Sequence, residues 1–525
     1  MKHAINRRSF LTSALLMPWL SCLGRKAWAE VKPAALDLGP AQPFTFDWLK
    51  ERAGQLAAQP YQAPSIRHAD ILDRIDYDAH LEIQCRPEAA LWQQGDGPYP
   101  VRFFHLGRLF PTPVKIYAVQ GGTAREVRYS SRLFTFGKAD FAAALPDDMG
   151  FAGFRVMHSR TDERDWLAFL GASYFRSSGE LDQYGISARG IAIDTALPTP
   201  EEFPRFTNFW LESAANPQAI MIYALLEGPS LTGAYRIEAL RQERAIMDIE
   251  AVLFFRSNIR RLGVAPLTSM FWFSETNHQP TWDWRPEVHD SDGLALWTGA
   301  GERIWRPLNN PPFVQTNSFV DNNPRGFGLS QRDRNFENYQ DDLVFYERRP
   351  TLWVEPLEPW GEGVVQLIEI PTNYEISDNI VAYWMPQAPA QAGTSRTFKY
   401  RLHWLADEPY LPDRGRVIAT RMGWTTIPKT PARPEHKAWF AIDFAGGPLE
   451  QLDKQAPVKL VAGTTRGSLR NPGAFQVAGT RRWRGNFDIE LEGAEPLDLR
   501  AYLRLNDQAL SETWLYQFVP RPVSS

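Results

Sequence analysis

Cysteine is nearly absent from this 525-residue chain, which contains only two. Cys22 lies in an N-terminal segment with the features of a removable export signal, so Cys85 would remain alone in the mature chain. A single thiol excludes an intramolecular disulfide, and it excludes zinc and iron–sulfur sites built from several cysteines. We therefore expect a chain whose core is large enough to be stable without covalent cross-links.

Long apolar runs are also missing. The one candidate runs from Phe10 to about Leu20 and is shorter than the roughly 20 residues that span a bilayer. It follows the twin-arginine pair Arg7-Arg8 and precedes residues 27–29, which form a small-x-small cleavage pattern. This layout predicts a twin-arginine signal peptide over residues 1–29 and a mature periplasmic protein. An uncleaved membrane anchor is the alternative.

The chain has no excess of positive charge. Its net charge is −4, and removal of the predicted signal takes away five basic residues and no acidic one, which leaves −9. Nucleic acids and anionic membrane surfaces are recognised by clustered lysine and arginine. We therefore predict no nucleic-acid partner, and a neutral ligand fits this charge better.

Helical periodicity is scarce, whereas period-two alternation is common. Residues 235–240, 245–255 and 364–370 alternate apolar and polar side chains, as half-buried strands do. The best helix is predicted at 46–58, and a shorter one at 200–203 with Thr199 as its N-cap. Many short strands without a βαβ rhythm predict an all-β fold of antiparallel sandwiches.

A domain boundary is predicted at residues 385–395, which are rich in Pro, Ala and Gly and carry no charge. This gives a large domain over 30–388 and a smaller one over 396–525. The smaller part contains strand-like segments at 438–444 and 486–491, and its length suits an immunoglobulin-like sandwich.

Candidate chemical groups concentrate between residues 270 and 380, most densely at 282–293. A solvated turn capped by Asp side chains is one interpretation of this segment. A calcium loop is a weaker one, because residues 290–293 lack the ligand spacing of an EF-hand. No Gly-rich nucleotide loop or ligand cluster is present, so we predict neither a cofactor nor a metal.

Trp, Arg, Asn and carboxylates recur along residues 305–310, 331–339, 353–362 and 375–380. This mixture is typical of a groove for a neutral polysaccharide, where rings stack on sugar faces and planar polar groups bind hydroxyls. Hydrolysis of a glycoside also needs two carboxyl groups facing one bond. The sequence offers too many acids to identify that pair from composition alone.

Nine motifs in order resemble the family of periplasmic osmoregulated-glucan biosynthesis proteins, types G and D. They lie at residues 77–88, 151–155, 171–176, 184–190, 202–206, 285–293, 305–308, 331–334 and 378–381. The resemblance covers nearly the whole predicted mature chain. The twin-arginine signal makes type D the closer match.

The resemblance implies a large galactose-mutarotase-like β-sandwich followed by an immunoglobulin-like domain. It implies action on the β-1,2-linked glucan backbone, and for type D an inverting endo-β-1,2-glucanase, hence a glycoside hydrolase. Asp378 then matches the general acid and Asp290 the general base. The alternative is a non-catalytic glucan-binding or scaffold factor, and the membrane machinery of glucan synthesis is a candidate partner in either case.

Further side chains are expected to bind substrate or to orient the pair: Glu375, Asp292, His289, Arg285, Trp305, Arg306, Arg332, Tyr339, Trp353, Trp360, Tyr174 and Arg176. We expect them to line one cleft. The two carboxyl groups should lie at or beyond the roughly 6.5–9.5 Å of inverting enzymes, since a proton also travels through water or a substrate hydroxyl. Asp378 should be the more shielded of the two, because desolvation keeps an acid protonated.

Overall fold

The computed structural model describes residues 36–95, 97, 99–277, 283–423 and 437–520. The predicted signal peptide therefore lies outside the described residues. Helices are few: α1 Phe46–Ala57, α2 Ala69–Leu72 and α3 Tyr77–Glu82, with short 3-10 turns at Pro87–Ala89, Ser131–Leu133, Asp140–Ala144, Phe336–Asn338, Tyr346–Arg348 and Gly447–Gln451. No helix in the described part of the chain is both long enough and apolar enough to cross a membrane.

Strands dominate the structure, as predicted. In chain order they are β1 Gln42–Pro43, β2 Gln84–Cys85, β3 Val101–Phe104, β4 Lys115–Gln120, β5 Thr123–Glu126, β6 Phe134–Thr135, β7 Gly153–Met157, β8 Asp165–Leu170, β9 Tyr174–Ser177, β10 Ser187–Arg189, β11 Ile191–Ile193, β12 Arg205–Ser213, β13 Ala219–Glu227, β14 Leu231–Arg241, β15 Ala245–Phe255, β16 Leu262–Ser269, β17 Phe271–Phe273, β18 Val288–His289, β19 Gly293–Trp297, β20 Arg303–Pro307, β21 Gln315–Asn322, β22 Gly326–Ser330, β23 Thr351–Pro356, β24 Glu362–Glu369, β25 Ile380–Pro386, β26 Ser395–Leu405, β27 Arg416–Gly423, β28 Lys437–Ala445, β29 Lys459–Thr464, β30 Ser468–Gln476, β31 Trp483–Glu490, β32 Leu497–Leu505, β33 Gln508–Ala509 and β34 Thr513–Phe518.

Two large sheets enclose the main core. One has the order β1-β5-β4-β12-β13-β14-β15-β26-β23-β22-β19-β20-β34-β32-β29, with β33 paired to β32. The other has the order β21-β24-β25-β16-β10-β9-β8-β7-β3, with β11 paired to β16. Side chains from both sheets fill one continuous apolar cluster, for example Ile237 and Ile249 from the first and Leu267 and Leu367 from the second. The prediction of an all-β sandwich is confirmed.

The C-terminal part forms a second, smaller core. The sheet β27-β28-β31-β30 packs on β29, β32 and β34, with Phe440, Phe487, Leu499 and Trp514 between them. Strand β34 also pairs in parallel with β20, so the first large sheet continues into this part of the chain. The number of strands and the two-sheet arrangement suit the immunoglobulin-like sandwich that we propose for this region.

The predicted boundary between the two parts needs a correction. Strand β26 follows the uncharged segment 385–395 directly, yet it pairs with β15 and β23 in the middle of the first large sheet. Its residues Phe398, Leu402 and Trp404 belong to the main core. The change from one core to the other therefore falls after Leu405, and we place the proposed domain boundary at 406–415.

Local predictions agree with the structure in most places. Helix α1 begins after Thr45, whose side chain caps it by accepting the N–H of Trp48 at 3.1 Å. The strands predicted at 235–240 and 245–255 are β14 and β15, which pair in antiparallel register along their full length. The helix predicted at 200–203 is wrong. Glu202 pairs there with Ile193, and Glu201 binds Arg189, so tertiary contacts override the local N-cap signal.

Candidate functional site

Asp290 and Asp378 are brought together by the short hairpin of β17 and β18. Asp290 follows β18 directly, and its backbone N–H donates to the carbonyl of Met270 at 2.8 Å. Asp378 precedes β25, and its neighbour Asn379 fixes this segment on β17. The Asn379 side chain accepts the N–H of Phe271 at 2.8 Å and donates to the carbonyl of Phe271 at 2.9 Å.

Asp290 has no solvent-exposed surface, with a relative exposure of 0%. Arg349 supplies its nearest counter-charge, with Nε 3.3 Å from Oδ1. Within the described part of the chain, neither oxygen of Asp290 accepts a hydrogen bond. Burial raises the pKa of Asp290, and the positive charges of Arg349, His289 and Arg176 oppose this rise.

Asp378 keeps some contact with solvent, in contrast to Asp290. Its surroundings are nevertheless dense, and burial, followed by the charge of Asp290, raises the pKa of Asp378 to about 7. Arg176, Arg349 and Arg189 act in the opposite direction. The prediction that Asp378 is the more shielded carboxyl is wrong. Its neutral form is favoured by the neighbouring charge as well as by desolvation.

Tyr174 and Arg176 lie on β9, near Asp378. The charge of Asp378 acts on both side chains. The guanidinium of Arg189 lies 5.2 Å from the centre of the Tyr174 ring, and its Nη1 donates to Glu201 at 2.9 Å. Burial raises the pKa of the Tyr174 hydroxyl, which keeps it a neutral donor near the carboxyl pair.

Glu375 and Arg285 meet at the edge of the same site. Arg285 Nη1 donates to Glu375 at 2.6 Å and to Asp341 at 2.9 Å, and its other nitrogens bind Asp283. The hydroxyl of Tyr346 donates to the same Glu375 oxygen at 2.7 Å. Glu375 is thus held by two donors, so it orients neighbouring groups and is poorly placed to act as an acid.

His289 forms the floor of the site and is completely buried. Its Nε2 lies 2.9 Å from Glu287, and its Nδ1 lies 3.0 Å from Gln331 and 3.4 Å from Asp292. Burial alone would lower the pKa of His289, but the carboxylates of Glu287 and Asp292 outweigh this and raise it to about 9. His289 therefore carries a positive charge at neutral pH directly beside Asp290.

Asp292, two residues after Asp290, binds the turn at Arg332 and Asp333. Its Oδ2 accepts the backbone N–H groups of Arg332 and Asp333. Burial raises the pKa of Asp292 to about 6, although His289 opposes this shift. Asp292 and His289 thus contact each other and connect the segment around Asp290 to the turn at Arg332.

Several side chains that were expected in the groove are buried elsewhere. Arg332 lies between Glu408 and Glu512, each at 2.6 Å, and its guanidinium stacks 3.7 Å from the Trp305 ring centre. Arg306 pairs with the buried Glu369 at 2.9 Å. Tyr339 is fully buried beside His289. Arg306 and Tyr339 are buried and cannot stack on a sugar, and the side chain of Arg332 is largely covered.

The predicted sugar-stacking role of the tryptophans needs the same correction. Trp305 and Trp353 pack in the second core, and Trp360 packs in the main core against Phe398. Composition cannot separate a core tryptophan from an exposed one. The exposed rings beside the site are instead Trp284, which is 69% exposed, and Tyr374, which precedes Glu375.

Sequence reasoning missed Arg349, Arg189, Glu287 and Tyr346. Arg189 and Glu287 lie inside motifs of the resemblance, at 184–190 and 285–293, so that signal was present in the sequence. Arg349 and Tyr346 come from a 3-10 turn outside those motifs. Among the described residues, no three His, Cys, Asp or Glu side chains form a group that could hold a metal ion.

Comparison with known proteins gives consistent matches over the full length. The family described as "Periplasmic glucan biosynthesis protein, MdoG" matches residues 44–518. "Glucans biosynthesis protein D 2" of Ralstonia nicotianae is 51% identical, with 98% of each chain covered. "Glucans biosynthesis protein D" of Xanthomonas oryzae pv. oryzae is 46% identical, with 100% of this chain and 98% of the relative covered.

A solved structure also shows a weak likeness. A galactose mutarotase related enzyme from Lactobacillus acidophilus covers 50% of this chain and 94% of its own, with 9% identity and a TM-score of 0.21. A likeness of this strength says nothing further about the fold.

Proposed function

The chain belongs to the MdoG family of periplasmic glucan biosynthesis proteins, and on this basis we propose that it is an inverting endo-β-1,2-glucanase. Asp378 is the general acid, which protonates the leaving glycosidic oxygen. Asp290 is the general base, which accepts a proton from the attacking water. The protein reaches the periplasm by the twin-arginine route in this proposal, and the glucan synthesis machinery of the membrane is its candidate partner.

The observation that supports hydrolysis is the electrostatic asymmetry of the two carboxyl groups. The charge of Asp290 helps to raise the pKa of Asp378 to about 7, so Asp378 holds a proton near neutral pH. Arg349 at 3.3 Å and the charged His289 favour the ionised form of Asp290. One protonated and one ionised carboxyl group is the arrangement that glycoside hydrolysis requires.

The complete burial of Asp290 constrains how the base works. Bulk water does not reach this carboxylate directly, so the proton must travel through an intervening water or a substrate hydroxyl. Such a relay suits a carboxyl separation at or beyond that of ordinary inverting enzymes. In this proposal Tyr174 and Arg176, on which the charge of Asp378 acts, bind the glucan together with the exposed ring of Trp284.

A non-catalytic glucan-binding factor is the second candidate, and the same burial of Asp290 favours it. In that case Asp290 and Arg349 form a structural ion pair inside a binding groove. Glucan would bind beside Asp378 without being cleaved, and the protein would guide the product of the synthesis machinery.

Incubation of purified protein with linear β-1,2-glucan separates the two candidates. We expect the wild type to release new reducing ends, and Asp378→Asn and Asp290→Asn to lose about 10²–10⁴-fold of the rate while retaining glucan binding. Asp283→Asn, which removes one ligand of Arg285 and leaves the pair intact, is the control and should lose much less. Absence of cleavage by the wild type at high protein concentration would establish the binding factor instead.

A further inference from the structure

A cavity of about 600 Å³ lies outside the candidate site and shares no lining residue with it. It is bounded by β4, β12 and the end of β13, and by the segments 61–67, 112–114 and 147–151. This volume is within the range of pockets that bind small ligands. Its floor is apolar and consists of buried side chains such as Val114, Val127 and Phe151.

Most charges at the rim of this cavity are already paired. Arg67 lies 2.7 Å from Asp148, and Lys115 lies 3.8 Å from Glu126. Because both signs are present in balance, a strongly anionic or cationic ligand would meet repulsion from one half of the rim. The cavity therefore favours an uncharged ligand.

Arg205 and Glu227 differ from the rim pairs. They are directly opposite each other across β12 and β13, yet no ion pair joins them among the described contacts. Arg205 donates to the carbonyl of Thr112 at 3.1 Å, and Glu227 accepts the hydroxyl of Thr207 at 3.2 Å. A guanidinium has five donors and a carboxylate about four acceptor sites, so both groups retain capacity at the cavity.

Tyr61 completes this arrangement at the side of the cavity. It is half-buried, and the charges of Arg205 and Glu227 both act on its hydroxyl. A ring, a planar donor and a planar acceptor above an apolar floor are the groups that bind the face and the adjacent hydroxyls of a pyranose.

We propose that this cavity is a second carbohydrate site, which binds one or two neutral glucosyl units of the glucan. The identity of the sugar rests on the proposed function, whereas the site itself rests on the geometry of Tyr61, Arg205 and Glu227. One wall of the cavity is joined by a backbone hydrogen bond to the segment that precedes Tyr174. The N–H of Phe206, next to Arg205, donates at 3.0 Å to the carbonyl of Ala172, two residues before Tyr174.

The test counts the oligosaccharides that bind to the full-length chain. A short linear β-1,2-linked gluco-oligosaccharide is titrated by calorimetry into the Asp378→Asn variant, which prevents hydrolysis. We expect two binding events. Tyr61→Ala and the isosteric Glu227→Gln, each added to that variant, should lower the affinity of one binding event about tenfold. Tyr61→Phe keeps the aromatic ring and should leave the affinity of that event unchanged.

Tyr502→Ala is the matched control, because Tyr502 is another half-buried tyrosine with a guanidinium, that of Arg500, 5.2 Å from its ring centre. This variant should keep both events. The proposal is overturned if Tyr61→Ala and Glu227→Gln, both folded by thermal unfolding, bind the same number of oligosaccharides with unchanged affinity. Failure of the proposed hydrolysis would show separately, as absence of chain cleavage by the wild type.

Discussion

At the scale of single residues, the site depends on two carboxyl groups whose environments differ. Asp290 is enclosed with a guanidinium and a charged imidazole beside it, whereas Asp378 opens towards solvent. The charge of Asp290 is one cause of the raised pKa of Asp378, so the protonation of Asp378 depends on the charge of Asp290. This coupling gives the site a pH dependence that an isolated carboxyl group would not have.

The first prediction concerns that pH dependence. Asp378 must be protonated to act as the acid, and its pKa is raised to about 7, so kcat/KM should fall as pH rises through about 7. Arg349 opposes the raised pKa of both Asp290 and Asp378. Arg349→Met should therefore move both limbs of the profile to higher pH, and Arg349→Lys should move them less.

The measurement is kcat/KM for β-1,2-glucan between pH 4 and 9, with folding of each variant checked by circular dichroism. If the pH profile of kcat/KM is unchanged in a folded Arg349→Met variant, the guanidinium of Arg349 does not control the protonation of Asp290 and Asp378.

Residue identity was only partly predictable from the sequence. The resemblance singled out Asp290 and Asp378, whereas composition alone offered too many acids in the same segment. Trp305, Trp353 and Trp360 were misassigned, because exposure of a ring depends on which sheets pack against it. Arg349 was missed because it reaches the site from a turn that is distant in sequence.

At the scale of elements, Arg332 joins the segment that follows Asp290 to the C-terminal part of the chain. The backbone N–H of Arg332 donates to Asp292, two residues after Asp290, and its side chain is bound by Glu408 and Glu512. Glu512 also accepts the N–H of Val417 at 2.6 Å, at the second residue of β27. Arg332 thus couples the loop to the C-terminal part of the chain.

The second prediction is that Arg332→Met lowers the free energy of unfolding by about 3–5 kcal/mol, since the buried Glu512 loses its counter-charge and the buried Glu408 keeps only that of Arg416. Arg401→Met is the control. Arg401 makes a two-contact ion pair with Asp248 on a more exposed surface, so its loss should cost about 1 kcal/mol or less. Urea unfolding at pH 7 measures both. Equal losses in the two variants would contradict the coupling role of Arg332.

The positions of strands and helices were predicted better than the tertiary contacts that those elements make. Period-two alternation identified β14, β15, β24, β28 and β31, and the helix predicted at 46–58 is α1. The short helix expected after Thr199 did not form. Four residues contribute too little local free energy to compete with the pairing of Glu202 and the Glu201–Arg189 ion pair.

At the scale of the whole molecule, the half-buried Glu275 links the two cores. Glu275 accepts the N–H of Thr420 at 2.9 Å, and Thr420 in turn accepts the indole N–H of Trp514 at 3.0 Å in the second core. Burial, followed by the charge of Glu287, raises the pKa of Glu275 to about 8. The junction therefore holds a neutral Glu275 at neutral pH.

The third prediction follows from this raised pKa. A carboxyl group whose pKa is higher in the folded state stabilises the fold fully below its unfolded pKa of about 4.5, and this stabilisation is lost as pH rises through about 8. Glu275→Gln keeps the acceptor for Thr420 and cannot ionise. Its melting temperature should fall less than that of the wild type between pH 5 and 9, and parallel curves would contradict the prediction.

The fold class was predictable from the sequence, but the position of the boundary between the two parts of the chain was not. An all-β chain with two cores follows from the strand pattern, whereas the uncharged segment 385–395 misplaced the boundary. An uncharged composition rich in Pro, Ala and Gly is typical of any exposed connection. Here the segment 385–395 connects β25 to β26, and both strands belong to the two large sheets. Only long-range pairing of β26 with β15 and β23 reveals where the first core ends.

Asp378 and Asp290, in our proposal, hydrolyse a β-1,2-linked glucan with inversion. Proton NMR of the reaction with linear β-1,2-glucan, recorded before mutarotation equilibrates the products, tests it most directly. Inversion of a β-linkage predicts that the α-anomer of the new reducing end appears first, and that Asp378→Asn abolishes its signal. Initial appearance of the β-anomer, or absence of any new reducing end with the wild type, would contradict the claim.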